Sequence, residues 1–407
     1  MKETIRLYDT QPYDTEFDAA ILSSRSETPG EILVVLSATL FFPEEGGQTP
    51  DRGTLAGLRV ADVQISRDLI ITHTLKVDPK ETDTALATIL APGQNVHGVL
   101  DWQHRYSNMQ NHSGEHILSG LLHNLWGYEN VGFRLSDNTV TLDTSGILSE
   151  GDLLSLEEKA NEAVWSNVPI TCEYPPEESL RHLDYRSKKE IDGRIRIVTI
   201  EGIDVCACCA PHVQRTGEIG LIKILAVDRS KDSTRLTIVC GRRALLEMQK
   251  RQRQLEKASH LMNEPQETIS SGVQRLLTEV AELKETCRSR EQQYLEARLA
   301  QIRAQFSGSS SLFGRDLYLF EQDLSVLSQR SFMNALCEMG WRFAGVFVGS
   351  DAGGWKYLIG GRGADARIPN GILRDAFQAR GGGKPEMVQG TVMASEEALL
   401  RALSEKD

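Results

Sequence analysis

The stretch Gln110-Asn111-His112-Ser113-Gly114-Glu115-His116-Ile117-Leu118 decides how the rest of the chain is read. It predicts a helix over about 107–126. Ser107 is a good N-cap, and Met109, Ile117, Leu118, Leu121, Leu122 and Leu125 recur at helical spacing. Positions four apart stand one above the other on a helix, so His112 and His116 can turn their rings toward one metal ion. His123 lies near the same face, but about 10 Å further along the axis, too far to join them. Two histidines at this spacing also suit a plain polar face. A second pair changes the balance. Cys208-Cys209-Ala210-Pro211-His212 sets a thiolate and an imidazole four residues apart, about a hundred residues downstream. Three imidazoles and a thiolate make a tetrahedral zinc set. The bland alternative for Cys206, Cys208 and Cys209 is buried structural thiols. Three cysteines in four residues beside a histidine is unusual for simple packing.

The remaining composition narrows the class. A length of 407 residues predicts two to four domains, and 40% hydrophobic with 25% charged residues is an ordinary globular balance. No apolar run approaches the ~18–20 residues of a membrane span. The opening Met1-Lys2-Glu3-Thr4 leads straight into a strand-like segment, so no signal peptide is expected. Seven cysteines, odd in number and partly clustered, fit metal or free-thiol use in a reducing cytoplasm. A net charge of −12 argues against a nonspecific nucleic-acid coat and leaves room for a local basic surface.

The expected fold class is α+β, in four parts. Residues 1–98 read as a small β-barrel, with strand-like runs at Ile32–Leu36, Thr54–Val60 and Asp68–His73. Within it, Glu45-Gly46-Gly47-Gln48 can bring bare backbone close to a ligand, or can be a plain surface turn. Residues 99–241 read as a metal-bearing α+β domain. Its second helix follows Ser149, a short polar helix begins at Ser179, and Arg194–Ile200 alternates as a strand. Arg181, Arg186, Lys188, Lys189, Arg194 and Arg196 could hold phosphates or form a solvated face. Residues 242–311 read as a helical arm. Val273, Leu276, Val280, Leu283 and Cys287 step as a coiled-coil seam that slips phase to Leu295, Leu299, Ile302 and Phe306, and Ser307–Ser311 is a linker. Residues 312–407 alternate strand and helix as a compact α/β domain. There Gly381-Gly382-Gly383-Lys384 could offer N–H groups and a cation to a phosphate, or pack as a glycine loop, and it lacks P-loop spacing.

His112/His116 followed by Cys208/His212 resembles the editing domain of alanyl-tRNA synthetases, and more closely its free-standing relatives, the AlaX-type alanyl-tRNA editing proteins. Phe41-Phe42-Pro43-Glu44-Glu45-Gly46-Gly47-Gln48 with Asp51-Arg52-Gly53 resembles the family's glycine-rich signature. Thr216-Gly217-Glu218-Ile219-Gly220 follows the second pair as in the family, and Gly381-Gly382-Gly383-Lys384-Pro385 resembles the C-terminal motif of DHHA1 domains. The resemblance covers nearly the whole chain, as in the long form. It departs at Ser113-Gly114-Glu115 and at Cys-Cys-Ala-Pro-His, where the family usually has small uncharged residues and paired glycines.

The resemblance implies Zn2+ on His112, His116, Cys208 and His212, and a trans-editing deacylase of mischarged tRNA for alanine, carrying serine first and glycine second. It implies an amino-acid pocket at Gly46, Gly47, Gln48 and Thr49. Glu115, the helix neighbour of His116, is read from its position as a general base or an orienter, or as pointing away. The resemblance further implies tRNA contacts through Arg181, Arg186, Lys188, Lys189, Arg194 and Gly381–Lys384, a homodimer through the C-terminal region, ATP binding by analogy, and no membrane. Two other readings stay open. His112-Ser113-Gly114-Glu115-His116 matches the inverted zinc-peptidase motif HxxEH, which would need a further carboxylate ligand. A non-enzymatic RNA-binding or dimerisation protein with a structural zinc also fits, because four protein ligands close a site.

Overall fold

The computed structural model describes residues 3–78, 88–187, 194–307 and 314–404. The chain divides into two compact units, Met1–Lys257 and Ala258–Asp407. Lys188, Lys189 and residues 308–311 of the expected linker lie outside the described residues.

The first unit opens on a closed six-stranded barrel. Its strands are β1 (Glu16–Thr28), β2 (Glu31–Leu36), β3 (Gly53–Leu55), β4 (Leu58–Ile65), β5 (Ile71–Lys76) and β6 (Asn95–Leu100). They run β1-β2-β5-β4-β3-β6, and β6 pairs back on β1. Alternation fills the interior: Ile71, His73 and Leu75 are buried while Thr72, Thr74 and Lys76 are not. The expected single run 54–60 is instead a hairpin. Ala56 and Gly57 take left-handed φ values of 52° and 79°, which turn the chain between β3 and β4. The expected run from Asp68 starts later, at Ile71, because Ser66 closes a turn, accepting from the N–H of Leu69 at 3.0 Å and of Ile70 at 3.2 Å.

Helix α1 (Trp102–Trp126) follows. It begins five residues before Ser107, capped by Asp101, whose carboxylate accepts from the His104 N–H at 3.1 Å. Ser107 is interior, and its hydroxyl accepts from Arg243 at 2.8 Å. Every residue from Asn108 to Gly120 is buried, so α1 is the axle of the unit rather than an amphipathic surface helix. That depth explains two interior glycines. A Cβ at Gly114 would stand 2.3 Å from Cys240 Sγ, and one at Gly120 would stand 2.3 Å from the Ile203 carbonyl.

Around α1 lie β7 (Asn130–Leu135), β8 (Val140–Thr144), α2 (Glu150–Trp165), β9 (Ile170–Glu173), β10 (Ile197–Ile200), β11 (Asp204–Ala207), β12 (Ile222–Arg229) and β13 (Thr234–Cys240). One sheet runs β12-β13-β8-β7 and a second runs β9-β10-β11. Helix α2 starts at Ser149 with a capping box to Asp152, as its sequence suggests. The expected polar helix from Ser179 shrinks to one turn, Glu177–Leu180. Helix α3 (Gly241–Met262) begins in this unit, where Arg243 donates to Ser107, Asn108 and the Ser136 carbonyl.

In the second unit, α4 (Ile269–Phe306) is a 38-residue helix. It is followed by β14 (Asp316–Glu321), α5 (Val326–Glu338), β15 (Phe343–Ser350), β16 (Gly354–Gly361), α6 (Arg367–Phe377), β17 (Arg380–Lys384), β18 (Met387–Val392) and α7 (Glu396–Ser404). The sheet order is β14-β15-β16-β18-β17, with β14 parallel to β15 and the other pairs antiparallel. Leu295 and Ile302 of α4 are buried against Phe332, Leu336 and Trp341, whereas Val273, Leu276, Val280 and Leu283 are exposed. The glycine run expected as a loop is the edge strand β17. Its glycines make room for neighbours: a Cβ at Gly381 would stand 2.4 Å from Tyr357 Oη, and one at Gly383 would stand 2.2 Å from the Met387 carbonyl.

Candidate metal centre

Helix α1 presents His112 and His116 on one side, as the four-residue spacing dictates. The segment after β11 brings Cys208 and His212 against them. One ligating atom from each of the four residues lies within 4.8 Å of those of the other three. Cys208 Sγ is 3.5 Å from His112 Nε2 and 3.4 Å from His212 Nε2. The three imidazoles are each about 3% exposed.

Each imidazole is held from behind through its other nitrogen. His112 Nδ1 meets Gln48 Oε1 at 2.8 Å, His116 Nδ1 meets Asp204 Oδ2 at 2.8 Å, and His212 Nδ1 meets Ser113 Oγ at 3.0 Å. All three Nε2 atoms are thereby left for the centre. This is the arrangement that fixes ring orientation and tautomer in a metal site. Arg186 clamps Asp204 from its far side at 2.8 Å, and Arg196 donates to the carbonyls of Cys208 (3.1 Å) and Ala210 (2.8 Å) to set the cysteine loop.

The protonation states suit a metal as well. Burial opposes ionisation of Cys208, yet the His112 charge and hydrogen bonds from all three imidazoles hold its thiol well below the usual range. Burial pushes His212 down to about 3, so it is neutral. His116 differs: burial lowers it, but Asp204 and Cys208 together hold it well above the usual value. A metal there must displace that proton. A thiolate and three imidazoles with Nε2 turned inward are a donor set that zinc fits.

The glycine loop lies against this group. Gly46 and Gly47 are exposed with φ of 61° and 83°, and a Cβ at Gly47 would stand 2.6 Å from the Phe133 carbonyl. Gln48 is 1% exposed, and its Nε2 and Thr49 Oγ1 are buried without a partner among the described residues. Glu115 is turned elsewhere: its Oε1 accepts from Ser119 at 2.5 Å and from Asn130, and its carboxylate is not one of the four converging groups.

Arg186 and Arg196 are engaged as described, Arg194 lies over the Tyr174 ring at 4.9 Å, and Arg181 is exposed beside Glu177. Gly381, Gly382, Gly383 and Lys384 stand on an exposed edge strand of the second unit. Asp204 and Ser113 escaped the sequence reading. Asp204, Cys206 and Cys208 alternate along one strand direction, which was the available signal for the first. For Ser113 there was none, since its partner is 99 residues away.

Comparison with known proteins agrees with this geometry. Residues 195–237 match the family model described as threonyl and alanyl tRNA synthetase second additional domain. The chain is 28% identical to the alanyl-tRNA editing protein Aarsd1 of Danio rerio, over 97% of this chain and 96% of that protein. It is 34% identical to the alanyl-tRNA editing protein AlaX-L of Pyrococcus horikoshii, over 60% of this chain and 59% of that one. It is 28% identical to an alanine–tRNA ligase of Methanothrix thermoacetophila, where 96% of this chain spans 42% of the ligase. The chain belongs with the alanyl-tRNA editing proteins, which are related to the editing domain of alanyl-tRNA synthetase.

Proposed function

We propose that this protein is a trans-editing hydrolase that removes the amino acid from mischarged tRNA for alanine, serine before glycine, at a zinc site. The observation that carries the reading is the convergence of His112, His116, Cys208 and His212, each imidazole held from behind, in a chain similar along nearly its whole length to an alanyl-tRNA editing protein. Those four residues would hold the zinc, which supplies Lewis-acid polarisation or substrate positioning.

The chain's own residues do the rest. Gln48 and Thr49 each keep a buried polar atom free for the aminoacyl group, and Gly46 and Gly47 let backbone approach it. Glu115 is not the general base in this reading, because its carboxylate is committed to Ser119 and Asn130. The peptidase reading is disfavoured for the same reason, and because Cys208 and His212 complete the cluster. On tRNA, Arg181 and Arg194 of the first unit and the exposed Arg380–Lys384 strand of the second offer cationic contacts. The exposed Val273, Leu276, Val280 and Leu283 are the surface for a homodimer.

Release of labelled amino acid from a panel of charged tRNAs tests the reading. Hydrolysis of Ser-tRNA that disappears in Cys208→Ser/His212→Ala supports it. Full zinc retention without hydrolysis of any aminoacyl-tRNA would favour a structural zinc.

A further inference from the structure

Asp51 and Arg105 form an ion pair in which both side chains are 0% exposed. One carboxylate oxygen, Asp51 Oδ2, accepts from Arg105 Nε at 2.9 Å, from Arg105 Nη2, and from the Phe42 N–H at 2.7 Å. The guanidinium also donates to the Pro12 carbonyl at 3.0 Å and to the Leu40 carbonyl. The Asp51 N–H donates in turn to the Phe42 carbonyl at 2.9 Å. Phe42 and Asp51 are thereby tied together, and the segment between them is the glycine loop.

Stability alone does not call for such a pair. Burying two charges carries a large desolvation penalty, and well-packed apolar residues often serve as well or better. What the pair adds is direction, because a planar guanidinium fork fixes where each acceptor stands. The placement gives that direction a use. Arg105 and His112 are seven residues apart, two turns along one face of α1 and about 10 Å along its axis. Arg105 holds the base of the glycine loop, and His112 meets Gln48 Oε1 near its tip at 2.8 Å. Neighbours of Asp51 are fastened to the same end of α1: the Pro50 carbonyl meets His104 Nε2 at 3.0 Å, and the Arg52 carbonyl accepts from the Asp101 N–H at 2.7 Å. On its other side the loop meets β7, where the Gly47 carbonyl accepts from the Leu135 N–H at 2.7 Å. A hydrogen bond of this kind weakens beyond about 3.2 Å, so a shift of the loop base by about an ångström along α1 is enough to part Gln48 from His112.

We propose that Asp51 and Arg105 are positioning residues for the metal centre: the pair sets the glycine loop in register on α1, so that Gln48 reaches the His112 ring. The proposal rests on the metal reading of the four converging residues and does not need the hydrolase reading.

A double-mutant cycle on zinc affinity tests it, read by chelator competition on the full-length protein under conditions where each variant is folded. Asp51→Asn keeps the side-chain volume and removes the charge. About tenfold weaker zinc binding is expected, and that loss should vanish in a Gln48→Ala background, because Asp51 then has nothing to act through. A merely structural role would weaken binding by the same factor in both backgrounds. Should Asp51→Asn fail to fold, Arg105→Lys, which keeps the charge and loses the fork, runs the same cycle. Unchanged affinity in the single variant, or a loss that persists undiminished beside Gln48→Ala, would overturn the proposal. The readings it stands beside fail differently. An unaltered protein that binds no zinc removes the metal reading and this proposal with it, whereas an intact cycle in a protein that hydrolyses no aminoacyl-tRNA keeps the pair and removes only the hydrolase reading.

Discussion

Gln48 Oε1 lies 2.8 Å from His112 Nδ1, so a loop of the barrel fixes the orientation of an imidazole on the central helix. The Gln48 amide oxygen is committed to positioning, and its Nε2 is buried without a partner among the described residues. Gln48→Ala should therefore do two things. Metal affinity should fall about 10–100-fold, the usual cost of losing such a support. Discrimination between serine and alanine esters should narrow as well. Chelator competition and ester hydrolysis read the two separately, and unchanged metal affinity would contradict the positioning role.

Asp204 carries the corresponding role for His116. Its carboxylate, itself clamped by Arg186, holds His116 protonated well above the usual imidazole range in the metal-free protein. Binding a metal must release that proton, so metal affinity should rise with pH through neutrality and above. Asp204→Asn removes the Asp204 share of what raises His116 and leaves that of Cys208. Its metal affinity should level off at lower pH and fall overall by about 10–100-fold. Competition titrations at several pH values check this, and a pH-independent affinity in the unaltered protein would contradict it.

His73 predicts an acid-sensitive barrel. It is fully buried, its Nδ1 meets the Val34 carbonyl at 3.2 Å and its Nε2 meets Thr39 Oγ1 at 2.9 Å. Burial lowers it from 6.5 to about 4. The unfolded chain takes a proton near pH 6.5 and the folded one does not. Stability contributed by this group is therefore complete above that pH and is lost as pH falls toward 4, by up to roughly 3 kcal/mol. Urea unfolding at pH 7 and pH 5 measures the loss. His73→Gln should be less stable at pH 7 and should lose that part of the slope; an unchanged slope would contradict the assignment.

Local patterns carried much of the fold into the sequence. The four-residue spacing of His112 and His116, the Ser149 capping box and the period-2 runs of the barrel are all short-range signals. Asp101 outcompeted Ser107 as a cap because the helix continues inward from the barrel, and Ser107 is claimed by Arg243 across 136 residues. Gly114, a residue type that weakens a helix interior, is required here by Cys240. The supports of the metal centre, Gln48, Asp204 and Ser113, lie 64, 88 and 99 residues from the residues they hold. Such pairings are tertiary and leave little local trace. Of the arginines read as a phosphate surface, Arg186 and Arg196 are spent inside, on Asp204 and on the cysteine loop.

The helix α4 stripe makes an assembly prediction. Val280 is 45% and Leu283 64% exposed, in step with Val273 and Leu276. A partner helix from a second copy would cover them. Sedimentation of the full chain at micromolar concentration should give a dimer, and Val280→Glu with Leu283→Glu should give a monomer that keeps its metal. A monomeric unaltered protein would contradict the dimer.

An alanine-charging site separates serine or glycine from alanine by only about 1–3 kcal/mol, so a second site gains most by pairing with the serine hydroxyl. A correct alanyl ester would leave the buried Gln48 Nε2 and Thr49 Oγ1 unpaired. The direct measurement is single-turnover release of labelled amino acid from Ser-tRNA and Ala-tRNA for alanine, with zinc present. Much faster release from Ser-tRNA is predicted, with both activities abolished in Cys208→Ser/His212→Ala. Equal rates on the two tRNAs would contradict it.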